Sequence, residues 1–251
     1  YGAGSGWGNV TGGHKQAKNV IAVANLTSSG TLASSSSRGP AADGRIKPDI
    51  GGKGSSVNST IPVNNYGLKT GTSMACPGIA GVMGQLYQAY KTLNGGQNPN
   101  SALMKGLLLN TADDIGNPGP DFKHGWGEVN AFKAVKLLED GNYINSSISQ
   151  GGNNSHLISV PSGVKQLKVM VYWHDKEASV SAATSLVNDI DIKLLNSSAV
   201  LVQQPWLLDV TPTATALNTN ASRGSDHLNN MEQITYDNPP AGNYFLDVDG
   251  F

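Results

Sequence analysis

The fold is decided by the stretch Gly71-Thr72-Ser73-Met74-Ala75-Cys76-Pro77, which opens a long apolar helical pattern. After it, apolar residues recur at three- and four-residue spacing and predict a helix from Ser73 to about Tyr90. These residues are Ile79, Val82, Met83, Leu86, Tyr87 and Tyr90. Pro77 falls in the predicted first turn, where a missing backbone N–H costs little. The stretch therefore places a serine hydroxyl at a helix N-terminus.

Ser73 has two interpretations from this position alone. Serine is a preferred N-cap residue, because its side chain accepts a hydrogen bond from the first turn of the helix. The position also suits a nucleophile, since free N–H groups and the helix dipole stabilise a developing oxyanion. Gly71 and Ala75 are small and leave the approach to the hydroxyl open. A catalytic hydroxyl would still need a base to take its proton.

The residues around Ser73 resemble the nucleophile motif of the subtilases, the subtilisin-like serine proteases. The similarity covers about residues 15–140 and is carried by further segments, which are Ala17–Val23, Ser36–Pro40, Asp43–Ile50 and Gly125–Ala131. This resemblance implies a serine endopeptidase in which Ser73 attacks peptide carbonyls of peptide or protein substrates. It implies no cofactor for the chemistry, and a secreted or cell-surface location is expected.

Subtilases carry their catalytic residues in the order Asp, His, Ser along the chain. Here only His14 precedes Ser73 among the histidines, and no acidic residue comes before Asp43. The family's Asp-(Ser/Thr)-Gly and His-Gly-Thr motifs are absent. The oxyanion-hole Asn is expected upstream of Tyr1, because Gly8-Asn9-Val10 is only a faint match. We therefore expect the acid and the base on a missing N-terminal segment. The isolated chain should hydrolyse peptides very slowly or not at all.

The chain changes character near residue 140. Residues 1–140 are predicted to form the C-terminal part of a subtilisin-like α/β domain with a parallel sheet. Its predicted elements are a buried strand at Asn19–Ala24, a short edge or terminal strand at Ile46–Ile50, a helix capped by Asn98 and a helix at Asn130–Leu138. Short apolar runs fit buried parallel strands, and Pro48 cannot donate to a ladder, which favours an edge.

Residues 141–251 are predicted to form an all-β domain, a jelly roll or sandwich, because strands follow one another without helices. Apolar residues alternate in the predicted strands Leu167–Trp173 and Ile190–Leu194, and further strands are predicted at Met231–Tyr236 and Tyr244–Val248. Three segments resemble the jelly-roll domain that follows the catalytic domain in some bacterial subtilases: Leu186–Asp191, Asn229–Gln233 and Gly242–Tyr244. Since the chain stops just after a strand, we expect this domain to be truncated at its end.

Composition argues against several classes of function. The formal net charge is −1, and Lys and Arg are scattered, so nothing favours a nucleic acid or an anionic membrane as partner. No apolar run approaches the ~18 residues of a membrane span, and no signal-peptide pattern is visible. The single cysteine, Cys76, excludes an internal disulfide and is predicted to be a small buried residue.

Asp189 and Asp191 lie two residues apart on one face of a predicted strand. They could share a structural Ca²⁺ with loop carbonyls, an interpretation that the resemblance to calcium-containing jelly rolls supports. Two carboxylates fall short of the six or more oxygens that Ca²⁺ takes, so a solvated polar face is the alternative. Trp173 and Trp206 pose a similar choice, between stacking on sugars and packing within the β domain.

Two other functions stay open at this point. An α/β-hydrolase-type esterase would place the acid and the histidine after the serine, with Asp113 or Asp121 and His124 as candidates. Against it, the stretch at Ser73 lacks the last Gly of that family's elbow, and the later chain turns to β structure. The other possibility is a non-catalytic module, in which the β domain binds carbohydrate, protein or metal.

Overall fold

The structure is a computed structural model that describes residues 6–251. Its first part is built on two parallel strands, β1 (Val23–Leu26) and β2 (Ile50–Lys53). Gly51 extends this sheet on the other side of β2. Its N–H donates to Gly127 O at 2.8 Å, and its carbonyl accepts from Val129 N at 3.0 Å. The expected parallel arrangement is therefore present, with β2 between two neighbours.

The prediction of an edge strand at Ile46–Ile50 is wrong. Pro48 lies before the strand rather than in it, since a proline cannot donate to a ladder, and β2 is paired on both sides. The buried strand also begins later than predicted, at Val23 instead of Asn19. The N–H of Ala22 donates to Asp49 Oδ2 at 2.7 Å, so a side chain holds the segment that precedes β1.

Two glycines allow the turn that closes this sheet. A Cβ at Gly125 would lie 2.3 Å from Pro48 O, and a Cβ at Gly127 would lie 2.1 Å from Asp113 O. Both glycines also have positive φ angles, 65° and 118°, which side chains rarely adopt. Trp126 between them is buried in the core. The Gly-Trp-Gly turn is thus fixed by contacts on both sides.

An exposed antiparallel hairpin of β3 (Val57–Ile61) and β4 (Asn65–Lys69) leads into α1 (Thr72–Leu93). The helix includes the predicted range and continues beyond it. Pro77 is its sixth residue, not part of its first turn. Because Pro77 has no N–H, the carbonyl of Ser73 lacks the usual hydrogen bond from four residues on.

The other two α-helices of the described residues are α2 (Ser101–Asn110) and α3 (Ala131–Glu139). The N-cap of α2 is Asn100, whose Oδ1 accepts from Ala102 N at 2.9 Å. The prediction that Asn98 caps this helix is therefore wrong, and Pro99 precedes the cap. The N-cap of α3 is Asn130, as predicted, and its Oδ1 accepts from Lys133 N at 3.0 Å.

One face of α1 packs on β1, β2 and α3, and it is anchored by Ala75, Ile79 and Leu86. Gly78, Gly81 and Gly84 lie off this face, and a Cβ added at any of them would meet no atom within 4 Å. Cys76 is exposed, so the prediction that it is buried is wrong. It follows Ala75 by about 100° around the helix, which turns it away from the sheet.

The second part consists of antiparallel strands in two main sheets. The larger sheet has the order β5-β12-β7-β8, and the smaller one pairs β6 with β11. The strands are β5 (Asn153–Val160), β6 (Gln166–Tyr172), β7 (Ile190–Asn196), β8 (Leu201–Gln203), β11 (Met231–Asp237) and β12 (Gly242–Gly250), with the short pair β9 (Trp206–Leu207) and β10 (Ser222–Arg223) between them. Ile192, Ile234 and Leu246 belong to an apolar cluster that both sheets share. The four strands predicted in this part are confirmed, whereas β5 was not predicted.

The two parts of the chain share a second, larger core. Leu208, Leu217 and Met231 from the second part pack into the cluster formed by the helices and β2 of the first. Trp126 Nε1 donates to Met231 Sδ at 3.2 Å across this contact. A buried ion pair at 2.5 Å joins Lys18 to Asp175. We call this contact region the seam; the predicted division at residue 140 separates its two sides.

No helix within residues 6–251 is both long enough and apolar enough to cross a membrane.

Candidate functional site

The N-terminus of α1 lies where both parallel strands end. The carbonyl of Leu26, the last residue of β1, accepts from Gly54 N at 3.0 Å and from Ser55 N at 3.3 Å. Gly71 N in turn donates to Gly54 O at 2.9 Å, directly before α1. Open parallel sheets bind ligands beyond the carboxyl ends of their strands. Ser73 is therefore at the edge of the sheet where a reactive group is useful.

Ser73 itself is exposed, and its hydroxyl makes no hydrogen bond with any residue of 6–251. The N-cap of α1 is Gly71, and no side chain caps this helix, so the N-cap interpretation of Ser73 is wrong. Met74 N and Ala75 N both donate to Gly71 O, at 3.0 and 3.3 Å. Within the described chain the N–H of Ser73 has no such acceptor. A hydroxyl and a free backbone donor thus stand on the same residue.

The floor of this site contains a polar residue that the sequence analysis missed. Asn25 of β1 is completely buried, and its Oδ1 accepts from Ser55 Oγ at 3.3 Å. Its Nδ2 is buried without a partner among the described residues. A Cβ at Gly54 would lie 2.6 Å from both Asn25 Oδ1 and Gly71 O, so only glycine fits there. The signal was one amide inside an otherwise apolar strand.

No histidine of the described chain is hydrogen-bonded to Ser73. His124 Nδ1 is 3.1 Å from Asp121 Oδ2, and His227 Nδ1 is 2.6 Å from Asp189 Oδ2. His174 Nδ1 is 3.4 Å from Ser101 Oγ. Residues 6–251 therefore do not assemble a triad around Ser73.

The residues proposed for an esterase also fail to meet Ser73. Asp113 accepts from Lys133 Nζ at 2.5 Å and from Asn130 Nδ2 at 2.8 Å. Asp121 and His124 do form a buried pair. Burial acts to raise the pKa of Asp121, but the hydrogen bond and charge of His124 outweigh it and the pKa is lowered. The pair has the form of an acid–histidine dyad but holds no hydrogen bond to the serine.

Asp189 and Asp191 come together with His227. His227 Nδ1 lies 2.6 Å from Asp189 and 3.9 Å from Asp191 Oδ1, and the Oδ1 atoms of both carboxylates are buried without a hydrogen-bond partner within residues 6–251. Burial raises the pKa of Asp191. No group of three or more His, Cys, Asp or Glu side chains in the described chain is arranged to hold a metal ion. Two carboxylates beside an imidazole do not supply a calcium shell, and the calcium interpretation stays a prediction.

Both tryptophans singled out in the sequence have partners. The Arg223 guanidinium carbon lies 3.3 Å from the centre of the Trp206 ring, and Gly119 packs so closely on that ring that its Cβ would be 2.8 Å away. Trp173 Nε1 donates to Asn188 O at 2.9 Å. Because the Trp206 ring is covered, it offers no open platform for a sugar.

A buried cluster of charged side chains lies next to the sheet, and it too was not predicted from the sequence. Asp49 accepts from Lys47 Nζ at 2.5 Å and pairs with Lys105 Nζ at 2.9 Å, and all three side chains are almost fully buried. Burial lowers the pKa of Lys105 to about 8, although Asp49 opposes this shift. Both lysines also donate to Val20 O at 3.0 Å. The cluster ties β2, α2 and the segment before β1 together.

Comparison with known proteins agrees with this geometry. Residues 5–127 match the family model of the subtilases, peptidase family S8. C5a peptidase of Streptococcus pyogenes is 42% identical over 89 residues, which are 34% of this chain and 8% of that protein. The minor extracellular protease Vpr of Bacillus subtilis is 31% identical over 175 residues, 62% of this chain and 21% of its own length. This chain therefore spans a small part of these relatives.

Two solved protease structures are similar to part of this chain, at lower sequence identity. The self-cleaved protease domain of PatA has a TM-score of 0.43 and 21% identity, with 51% of this chain and 44% of that one covered. A lanthipeptide protease has a TM-score of 0.44 and 23% identity, with 50% and 43% covered. Residues 5–127, which include the serine motif at the start of α1, belong to the subtilase family of serine proteases.

Proposed function

We propose that this chain is the nucleophile-bearing part of a subtilisin-type serine endopeptidase, and that a segment upstream of Tyr1 supplies the acid and the base. The observation that carries the proposal is the state of Ser73, which is exposed and whose hydroxyl and N–H are both unpaired within residues 6–251. The family match of residues 5–127 supports the same role.

The chemistry follows from these groups. Ser73 Oγ attacks the carbonyl carbon of the scissile peptide bond, and its proton passes to the imidazole of the upstream segment. The carbonyl oxygen becomes an oxyanion, which the N–H of Ser73 and the positive end of α1 stabilise. The C–N bond then breaks, the amine leaves with the proton from the imidazole, and water releases the acyl group from Ser73 by the reverse steps.

The arrangement around Ser73 leaves the base as the missing component. Without an imidazole the hydroxyl is a poor nucleophile near neutral pH. Within the described residues the acid–histidine dyad of Asp121 and His124 has no hydrogen bond to Ser73. We therefore propose that the 251 residues alone have little or no peptidase activity.

Labelling with a fluorophosphonate tests this proposal. The probe is added to the isolated chain, to the chain mixed with or fused to the parent protein's upstream segment, and to the Ser73→Ala variant of each. Labelling that requires both the segment and Ser73 supports the two-part protease. Labelling of the isolated chain at Ser73 would contradict it and favour the esterase alternative. Absence of labelling in every sample would favour the non-catalytic module.

We further propose that the β part is a jelly-roll domain and that the protein acts outside the cell. The antiparallel sheets around a shared apolar cluster support the first point. The name of the relative Vpr, a minor extracellular protease, supports the second. Fractionation of the parent cells, with an antibody against this chain, would test the location.

A further inference from the structure

A cleft of about 630 Å³ lies at the seam, away from the contacts that hold Ser73. From the geometry we infer that this cleft binds a carboxylate carried by an apolar peptide segment, either a peptide C-terminus or an acidic side chain with apolar neighbours. Its basic lining residues are Arg38, Lys123 and His124, and none of the described residues that line it carries a carboxylate. The inference rests on the proposed function, for which such a peptide is part of a substrate.

Arg38 is the main reason for expecting an anion. Its guanidinium forms no ion pair within residues 6–251, although other basic side chains at the seam, such as Lys18 and Arg45, are paired with aspartates. Its Nε–H is buried and has no hydrogen-bond acceptor among the described residues. Buried donors are normally satisfied, so this guanidinium is short of partners. Because the Nε–H is closed to solvent, a carboxylate in the cleft would bind the Nη1 and Nη2 groups at the end of this half-buried side chain, in the bidentate geometry that arginine favours.

His124 brings an imidazole of fixed orientation to the cleft. Its Nδ1 is taken by Asp121, a side chain that is almost completely buried, which leaves Nε2 as the ring nitrogen not used in that pair. A carboxylate behind one ring nitrogen holds the imidazole in place. The lining of the cleft at His124 is therefore a ring with a set orientation.

Lys123 strengthens the positive potential and connects the two walls. Its Nζ donates to Asn218 Oδ1 at 2.6 Å, across the seam. The remaining lining is largely apolar or backbone and includes Leu32, Ile115 and Leu217. A small inorganic anion would leave these apolar groups uncovered. An apolar side chain next to the carboxylate would cover them, which is why a peptide suits the cleft better.

The test uses the Ser73→Ala variant of the chain, so that no peptide can be cleaved, and three dye-labelled peptides of the same leucine-rich sequence. One ends in a free carboxylate, one in an amide, and one in an amide but carries a glutamate among the leucines. Fluorescence anisotropy gives the Kd of each. We expect the amide peptide without glutamate to bind at least about tenfold more weakly than the better of the other two, since a hydrogen bond to a charged group is lost. Which of those two binds better distinguishes a C-terminus from an acidic side chain.

Variants of the lining residues test whether the peptide binds in this cleft. Arg38→Gln should weaken the better peptide about tenfold or more, and Lys123→Gln should weaken it about threefold through the lost charge. Lys165→Gln is the matched control, because it removes the same charge at an exposed position outside the cleft. Circular dichroism checks that each variant is folded, and Lys123→Gln serves if Arg38→Gln is not.

Three results would overturn the inference: equal binding of all three peptides, no binding below about 1 mM, or equal losses with Lys165→Gln and Arg38→Gln. None of them would affect fluorophosphonate labelling of Ser73, so a failure of this inference can be told from a failure of the proposed protease.

Discussion

The start of α1 and the buried cluster around Asp49 both adjoin the same small sheet. They differ in whether their polar groups have partners. At Asp49, two lysines surround one carboxylate, and hardly any of these side chains reaches solvent. At Ser73, the hydroxyl and the N–H have no partner in the described chain. The first arrangement holds elements together, and the second leaves groups available for a reaction. The unpaired groups at Ser73 are therefore what mark it as the candidate site.

The largest expected effect is on the open site. Changing Ser73→Ala in the protease that includes the upstream segment should lower the rate of peptide hydrolysis by about 10⁶-fold, the scale for removing a nucleophile of this kind. The matched control is Cys76→Ser, which changes an exposed residue on the next turn of α1 and should leave the rate within about twofold. Hydrolysis of a chromogenic peptide measures both. A Ser73→Ala protein that keeps its activity would remove Ser73 from the reaction.

The closed cluster should respond in stability and not in chemistry. Asp49→Asn leaves Lys47 and Lys105 buried without their carboxylate, which should cost about 3–5 kcal/mol in the free energy of unfolding. Asp140→Asn removes the exposed partner of Lys136 and should cost no more than about 0.5 kcal/mol. Urea denaturation of the two variants compares them. Equal losses would mean that the cluster is not a structural centre.

Gly54 connects the two regions, because it follows β2 and contacts the start of α1. Gly54→Ala would place a Cβ 2.6 Å from Gly71 O and 2.8 Å from Ala75 Cβ. The helix start must shift, at a cost of about 1–3 kcal/mol. If the shift moves Ser73, kcat should fall more than KM rises. A variant with unchanged Tm and kcat would show that the atoms around Gly54 can move to accept a Cβ without loss of stability or activity.

Gly84 tests the open face of α1 in the other direction. Nothing lies within 4 Å of a Cβ at this position, so Gly84→Ala should stabilise the 251-residue chain by about 0.5–1 kcal/mol through helix propensity. If the proposed upstream segment packs on this face, the same change should destabilise the longer protein. The sign of the difference in Tm between the two proteins decides whether the face is covered.

The smallest effect concerns pH. The hydrogen bond to Asp189 raises the pKa of His227 above its usual 6.5, and burial acts against this shift without reversing it. The protonated histidine therefore favours the folded state. This contribution is complete below pH 6.5 and disappears as the pH rises through the higher folded-state pKa. His227 is half exposed, so the effect should stay below about 1 kcal/mol. Comparing the pH dependence of Tm with that of His227→Gln measures it, and parallel curves would argue against it.

Much of the fold could be predicted because local patterns were clear. The three- and four-residue spacing predicted α1, Asn130 predicted the cap of α3, and period-two alternation predicted β6 and β7. The errors came from context. Pro48 suggested an edge strand, although the strand starts only after it. Cys76 was expected to be buried because it starts a helix that packs on the core and free cysteines are usually buried.

Of the candidate site, only one residue could be predicted from the sequence. The motif identified Ser73, whereas Asn25, Gly54 and the Arg38 cleft depend on contacts between segments far apart in the chain. Asp189 and Asp191 both lie near His227, which comes from another loop, and no sequence spacing brings it to them. A contact between single side chains that are far apart in the chain produces no periodic pattern in the sequence.

The core at the seam has a consequence for how such proteins can be engineered. Met231 and Leu217 fill space among the helices of the first part, and Trp126 reaches back to Met231. The β part that follows residue 140 therefore cannot be exchanged by itself. A chimera with a different β part must also keep side chains that fill the same hydrophobic contact with the first part. Truncation at residue 140 would expose these apolar side chains to water. We therefore expect the shortened protein to be insoluble and to be found in inclusion bodies.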